Sequence, residues 1–424
     1  MFRLLRIALL TAVSGALTMT TLTDFWDGYQ LASTLGRPDA PSSCTVPSTD
    51  WEHAAPFPQL ETRSDLPELR VVTYNLHSGL GPRWRVFADR REVESNLTGI
   101  ADRIAGASPE MPIDVVALNE VDFGSRRSGW IDQAAFLADE LERRTGHAYA
   151  VARGETWRRD TPGLEVRFGN AVLFRHSALA VDARILEKTQ KTSYASAFPV
   201  SALDRILNEP RGALHLRIRF FGQPVDFLVT HLEAFNPARR EAQAADLLQR
   251  FVESGRTSIL LGDMNTVPTA LTYQRPHFAA DRTHDVLTSG DLADARVVVA
   301  AREGVNDFSG WATFPALAPV WPLDGSFATP DLIPQAVQVI GADESDHRGL
   351  SVTYGWLTPE AKSTFIRWHD AVRQHQLARL VDCDVPKRIP DKHRVLEWLK
   401  TNTGFVSILS GIGGGSKDTP QDGG

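Results

Sequence analysis

At 424 residues, with 42% hydrophobic and 23% charged content, the chain has the composition of an ordinary globular protein with a sizeable core, in one domain or two. A formal charge of −7 excludes a global basic field for nucleic acid, though a local basic groove would still suffice for binding. The two cysteines, Cys44 and Cys383, are far apart and lack metal-ligand spacing, which argues against zinc held through sulfur.

The chain opens with Arg3 and Arg6 and then runs without charge from Ile7 to Thr23, so residues 1–23 read as an export signal or an uncleaved membrane anchor. Residues 24–68 follow as a linker whose prolines (Pro38, Pro41, Pro47, Pro56, Pro58 and Pro67) predict an extended connector. A β-branched run from Leu69 to Asn75 predicts the first strand of a domain covering 69–357. Val93, Leu97, Ile100 and Ile104 have helical spacing. A second strand, Ile113–Leu118, delivers Asn119 and Glu120 at its end, and a helix is expected from Ile131 to Arg144. Strands are predicted near Ala148–Ala152 and over Asn170–Phe174, then a polar excursion over 187–211. Gly212–Phe221 and Pro224–Thr230 read as a hairpin turning at Gly222-Gln223, followed by His231 and a helix over Pro237–Val252.

Ser258-Ile259-Leu260-Leu261 is a short apolar strand closed by Gly262, with Asp263 and Asn265 at its tip. By itself this pattern fits an Asx turn. Its neighbours change the reading, because Asn75, Glu120, His231, Asp324, Asp346 and His347 also stand at predicted strand ends, and a packed α/β sheet gathers such ends along one edge. Further strands are expected at Leu323–Phe327, Val337–Ile340 and Leu350–Tyr354. Between them and the preceding segment, Trp311, Phe314 and Trp321 form an aromatic loop that would cover the edge, touch a membrane surface or simply pack. Residues 358–424 form a C-terminal extension with an amphipathic helix over Pro359–Leu380, a second helix over Lys392–Leu399 and a polar, disordered tail.

These stretches resemble the endonuclease/exonuclease/phosphatase superfamily of metal-dependent phosphoesterases, which includes sphingomyelinase-type and deoxyribonuclease-type hydrolases. The resemblance runs in order through Thr73-Tyr74-Asn75, Leu118-Asn119-Glu120, Gly169-Asn170, Thr230-His231-Leu232, Gly262-Asp263-Met264-Asn265 and Ser345-Asp346-His347. Gly325-Ser326 after Asp324, where an aromatic residue is usual, departs from the pattern. The fold implied is an α/β (α+β) four-layer sandwich, with two mixed sheets face to face and helices outside.

The resemblance implies Mg2+ or Mn2+ held by Glu120 with Asn75 and Asp346. It also implies in-line attack of water on a phosphodiester. Asp263 and Asn265 would orient that water, and His231 and His347 would donate to phosphoryl oxygens. Asp324 would fix the tautomer of His347, and either His347 or Asp263 would take the proton. Asn170 is expected at the substrate. Arg126 and Arg127 would clamp a second phosphate or a head group, unless they are solvated surface charge.

The substrate expected is a phospholipid or small diester at an extracytoplasmic or membrane-tethered location, with no protein partner evident. An exported nuclease is the alternative, and a non-catalytic phospho-ligand binding module the second alternative. In an exported chain Cys44 and Cys383 would pair as a disulfide or remain two separate buried thiols.

Overall fold

In the computed structural model the described residues lie between 56 and 381, excluding 84, 86, 162–163, 177–191, 194–210, 235, 253–254, 270–280 and 306–307, and side chains beyond 374. The export-like segment, both cysteines, most of the excursion over 187–211 and the helix expected at 392–399 lie outside them. Among the described residues no helix is long and apolar enough to cross a membrane.

Two six-stranded mixed sheets form the frame. The first has the order β11-β12-β1-β2-β4-β3 and the second β5-β6-β7-β8-β10-β9. In chain order the strands are β1 (Leu69–Asn75), β2 (Val115–Asp122), β3 (Tyr149–Thr161), β4 (Leu164–Arg175), β5 (Thr192–Ser193), β6 (Gly212–Phe220) and β7 (Gln223–His231). They continue as β8 (Ser258–Asp263), β9 (Ala293–Asp294), β10 (Asp324–Ala328), β11 (Leu332–Ile340) and β12 (Gly349–Trp356). The helices are α1 (Arg90–Gly106), α2 (Gln133–Thr145), α3 (Pro237–Phe251), α4 (Thr283–Leu287), α5 (Ala295–Glu303) and α6 (Pro359–Val381).

Period-two patterning puts the core between the sheets. On β8, Ile259 and Leu261 join Val71, Val115, Val172, Phe227 and Val352 in the central layer. Leu260, one residue out of phase, packs with Leu247 and Phe251 of α3 on the outer face. The other outer face buries Val72 and Tyr74 of β1 against Val93, Leu97 and Ile100 of α1 and Leu137 of α2. The result is the four-layer sandwich. The helices start where their caps dictate. Asp89 accepts from the Glu92 amide, Asp132 from Ala135, and Asn236 from Arg239 just ahead of Pro237.

Two parallel pairs position the site. β1 and β2 run parallel on either side of α1, and β7 and β8 run parallel on either side of α3. Such crossovers bring the carboxyl ends of four strands to one edge. The register aligns Asn75 with Asn119, His231 with Asp263, and Asp263 with Asp324 of the antiparallel β10.

Several boundaries differ from the sequence reading. β3 and β4 continue to Thr161 and back from Leu164, well past the predicted limits, because they pair with each other along their whole length. The β6–β7 turn falls at Phe221-Gly222, both with positive φ. β2 does not stop before Asn119. It continues to Asp122 through a bulge between Leu118 and Val121.

Candidate active site

The bulge in β2 turns Glu120 out of the ladder at φ 53°. Asn265 at φ 49°, and His77 at 47° and Ser78 at 52° just after Asn75, are likewise left-handed, so four of the six non-glycine residues with positive φ among the described residues sit in or just after these motifs. Conformations of this kind cost free energy and persist where the surroundings impose them. Gly262 approaches the neighbouring strand so closely that a Cβ would run into the Thr230 carbonyl oxygen. That proximity brings Asp263 level with His231.

Asp263 lies at the centre and is 1% exposed. Its Oδ2 accepts from Asn75 Nδ2 at 3.1 Å and lies 3.4 Å from His231 Nε2 and 3.5 Å from His347 Nε2. Its Oδ1 accepts from the Asn265 amide at 2.9 Å, while Asn265 Nδ2 donates to the Leu232 carbonyl. Behind His347, Nδ1 donates to Asp324 Oδ2 at 2.8 Å. The departure at Gly325-Ser326 therefore does not displace Asp324. Ser326 Oγ pairs instead with the Tyr354 hydroxyl at 2.7 Å. Glu120 Oε1 accepts from Asn75 Nδ2 at 3.1 Å and lies 3.7 Å from His231 Nδ1. Asp346 Oδ1 is 3.8 Å from His77 Nδ1, which donates to the Gly81 carbonyl at 2.8 Å.

The electrostatics are uneven. Burial pushes the Asp263 carboxyl up, opposed by the charge of His347. Burial alone would depress His347, but the Asp324 and Asp263 carboxylates overcome it and hold the ring well above its ordinary value, as an imidazolium. His231 goes the opposite way, held well below by burial and then by the Arg211 cation. His77 is raised, since Asp346 and Glu120 outweigh its burial.

Asn170 stands one step behind this group. It is 3% exposed, its Oδ1 accepts from Asn119 Nδ2 at 2.9 Å, and its Nδ2 donates to the Gly212 carbonyl at 3.0 Å. Asn119 in turn accepts from the Asp263 amide and donates to the Thr230 carbonyl, both at 2.9 Å. The two amides thus stitch the sheets together beneath Asp263. The expected clamp at Arg126 and Arg127 is corrected for Arg127. Its guanidinium is bidentate on buried Asp122, at 3.0 Å from each oxygen, and lies over the Phe168 ring. This pair braces the loop after β2. Arg126 is exposed beside it.

Two contributors were missed in the sequence. Arg211 Nη1 lies 2.6 Å from His231 Nδ1 and 3.1 Å from Nε2, and only its place just before β6 marked it. Arg296, fully buried, pairs with Asp294 and donates to the carbonyls of Asp324 (2.8 Å) and Pro322. It braces the start of β10. Nothing in its helical sequence signals that. The aromatic loop packs onto the site, with Phe314 stacked on Trp321 and 4.7 Å from the His347 ring.

The Endonuclease/Exonuclease/phosphatase family model matches residues 72–347, and the chain belongs to that family of phosphoester hydrolases. Among solved structures it is similar to the endonuclease/exonuclease/phosphatase from Beutenbergia cavernae, at 21% identity over 69% of this chain and 72% of that one, TM-score 0.48. It is similar to a family protein from Leptotrichia buccalis, at 19% identity over 68% of this chain and 100% of that one, TM-score 0.47. It is also similar to D. rerio TDP2 complexed with single-strand DNA product, at 17% identity over 68% and 100%, TM-score 0.44. No curated protein matches the sequence.

Members of this family usually use a divalent cation, and among the described residues two donor groups present themselves. Asp263, Asp324 and His347 offer atoms within 4.8 Å of one another. In that group, however, the proton on His347 Nδ1 already bridges to Asp324, and an imidazolium has no lone pair for a metal. Glu120 and Asp346 fit better. They are carboxylates at the rim of the cluster, Glu120 3.7 Å from His231 and Asp346 3.8 Å from His77, and are partly exposed, with side chains 21% and 27% accessible, and the Asn75 amide lies alongside Glu120. Oxygen donors at a wet edge suit a hard cation that retains water.

Proposed function

We propose that the chain hydrolyses a phosphodiester by in-line attack of water, acting on a phospholipid or small diester outside the cytoplasm with Mg2+ or Mn2+. The observation that carries the reading is the convergence of Asn75, His231 and His347 on one oxygen of buried Asp263, with Asp324 behind His347.

In this reading Glu120 and Asp346 would hold the cation, with Asn75 positioning Glu120 through its amide, and the cation would supply positive charge that stabilises the phosphoryl group. His347 is already an imidazolium, so it cannot accept a proton, and the raised Asp263 carboxylate is the base. The water oxygen bonds to phosphorus as its proton passes to Asp263 Oδ2. The ester P–O bond breaks, and the leaving oxygen takes the proton of His347 Nε2. Transfer from Asp263 to His347 across 3.5 Å restores both groups. His231, neutral and 5% exposed, donates to a nonbridging oxygen without changing charge.

The uncharged stretch from Gly310 to Leu323 beside His347 supports an amphiphilic substrate, and the charged start followed by the apolar run to Thr23 supports export. The test is a hydrolysis screen after EDTA treatment, with and without Mg2+ or Mn2+, on bis-p-nitrophenyl phosphate, phospholipid vesicles, and single- and double-stranded DNA. Metal-dependent cleavage of the soluble diester and of lipid is expected. Full activity without metal would refute the cation assignment, and DNA cleavage with lipid untouched would move the substrate to nucleic acid.

A further inference from the structure

Among the described residues six large apolar side chains stand exposed, and three of them lie on loops that adjoin the catalytic edge: Phe87 (54%), Trp130 (54%) and Leu317 (60%). They lie on three different loops that contact one another in series. The Ala316 amide donates to the Asp346 carbonyl at 2.6 Å, and Ser345, next to Asp346, bridges to Gly81 at the start of the Phe87 loop. The Ala88 amide then donates to the Arg127 carbonyl at 3.0 Å, in the loop that ends at Trp130. This band runs through Asp346, whose Oδ1 lies 3.8 Å from His77 Nδ1. Trp130 is held outward at φ 63°, a conformation that non-glycine residues adopt at a cost and that tends to persist where function requires it.

We infer that this band is a docking surface for a lipid bilayer, seating the catalytic edge on the head groups. The inference rests on reading that edge as the hydrolytic site, and it names the phase in which the substrate is met. The chemistry of the band favours lipid over a polyanion. The stretch from Gly310 to Leu323 carries no charge, and apart from Thr313 and the indoles of Trp311 and Trp321 its side chains have no donor for phosphate. Of the arginines in the adjoining loops, Arg85 is paired with Glu92 and Arg127 with Asp122, so much of the positive charge is already met. A nucleic-acid groove would need those cations for successive phosphates. Exposed Arg83 and Arg126 are in the same loops as Phe87 and Trp130, and arginine and tryptophan together suit the boundary where acyl chains meet anionic head groups.

The test uses the full chain and extruded vesicles of phosphatidylcholine with and without phosphatidylglycerol, read by sedimentation. The variant is Phe87→Ser, Trp130→Asn and Leu317→Ser together; asparagine tolerates the left-handed backbone at position 130. Its partition onto phosphatidylglycerol vesicles should fall about tenfold or more relative to wild type. Its hydrolysis of soluble bis-p-nitrophenyl phosphate should be unchanged, which also shows that the fold is intact. Any contribution from residues 1–23 is common to both proteins and cancels in the ratio. Equal partition of the two proteins would overturn the inference, as would loss of single-stranded oligonucleotide binding in place of vesicle binding. If neither protein hydrolyses the soluble diester but the partition still falls, the hydrolase reading fails and the docking surface stands.

Discussion

Replacing Asp324 with asparagine preserves the shape of the side chain and an acceptor for His347 Nδ1, and removes only the charge. In the native site that charge lies 2.8 Å from the ring in a fully buried position. Two unit charges at that distance attract by about 6 kcal/mol at an effective dielectric near 20, an upper bound because burial of both charges opposes it. Losing the charge partner of a working imidazole costs roughly 10²–10⁴ in turnover, or about 3–5 kcal/mol of barrier. Asp324→Asn should therefore lower kcat on bis-p-nitrophenyl phosphate by that factor with little change in KM. The pH dependence has a definite sign. His347 acts as its protonated form, so removing the carboxylate that raises it should move the alkaline limb of kcat/KM to lower pH. Stability follows the same sign: the raised ring stabilises the fold fully below about pH 6.5 and ceases to do so as pH rises through its folded value. The melting-temperature gap between wild type and variant should then be widest near pH 6 and narrow in alkali. A folded variant with unchanged kcat and an unmoved alkaline limb would refute the dyad.

Glu120→Gln keeps the hydrogen bond with Asn75 but loses a donor charge, and should lower turnover by about 10²-fold and weaken Mg2+ dependence, checked by metal titration. Gly262→Ala should destabilise by about 3 kcal/mol, because the added methyl meets the Thr230 carbonyl, with urea unfolding as the measure. His369 on α6 is depressed to about 4 by burial, so the unfolded chain binds its proton first as pH falls from about 6.5. Up to about 3 kcal/mol of stability should be lost between pH 6.5 and 4, and His369→Gln should flatten that part of the melting-temperature profile.

The layers were legible because burial on a sheet alternates with period two. Ile259 and Leu261 facing one way and Leu260 the other is written directly in the chain, as is the helical spacing of Val93, Leu97 and Ile100. What escaped depends on partners distant in sequence. β3 and β4 exceed their predicted lengths because each supplies the other's hydrogen bonds, a gain that a single-strand pattern does not display. The short α5 was missed because Arg296 looks like a surface residue of a helix until Asp294 and the Asp324 carbonyl meet it in the interior.

For the site, the convergence of the side chains was legible and their protonation was not. Asn75, His231, Asp263 and His347 come together as strand-end residues of parallel and adjacent strands must, so their convergence follows from topology once the strands are found. The protonation states do not. Two histidines lie almost equally far from the same Asp263 oxygen, yet one is backed by a carboxylate and the other by a guanidinium. Arg211 could not be assigned to His231 from sequence, and without it the two rings read alike. With it, one ring is held towards its charged form and the other towards its neutral form, and the proposal of Asp263 as the base rests on that difference.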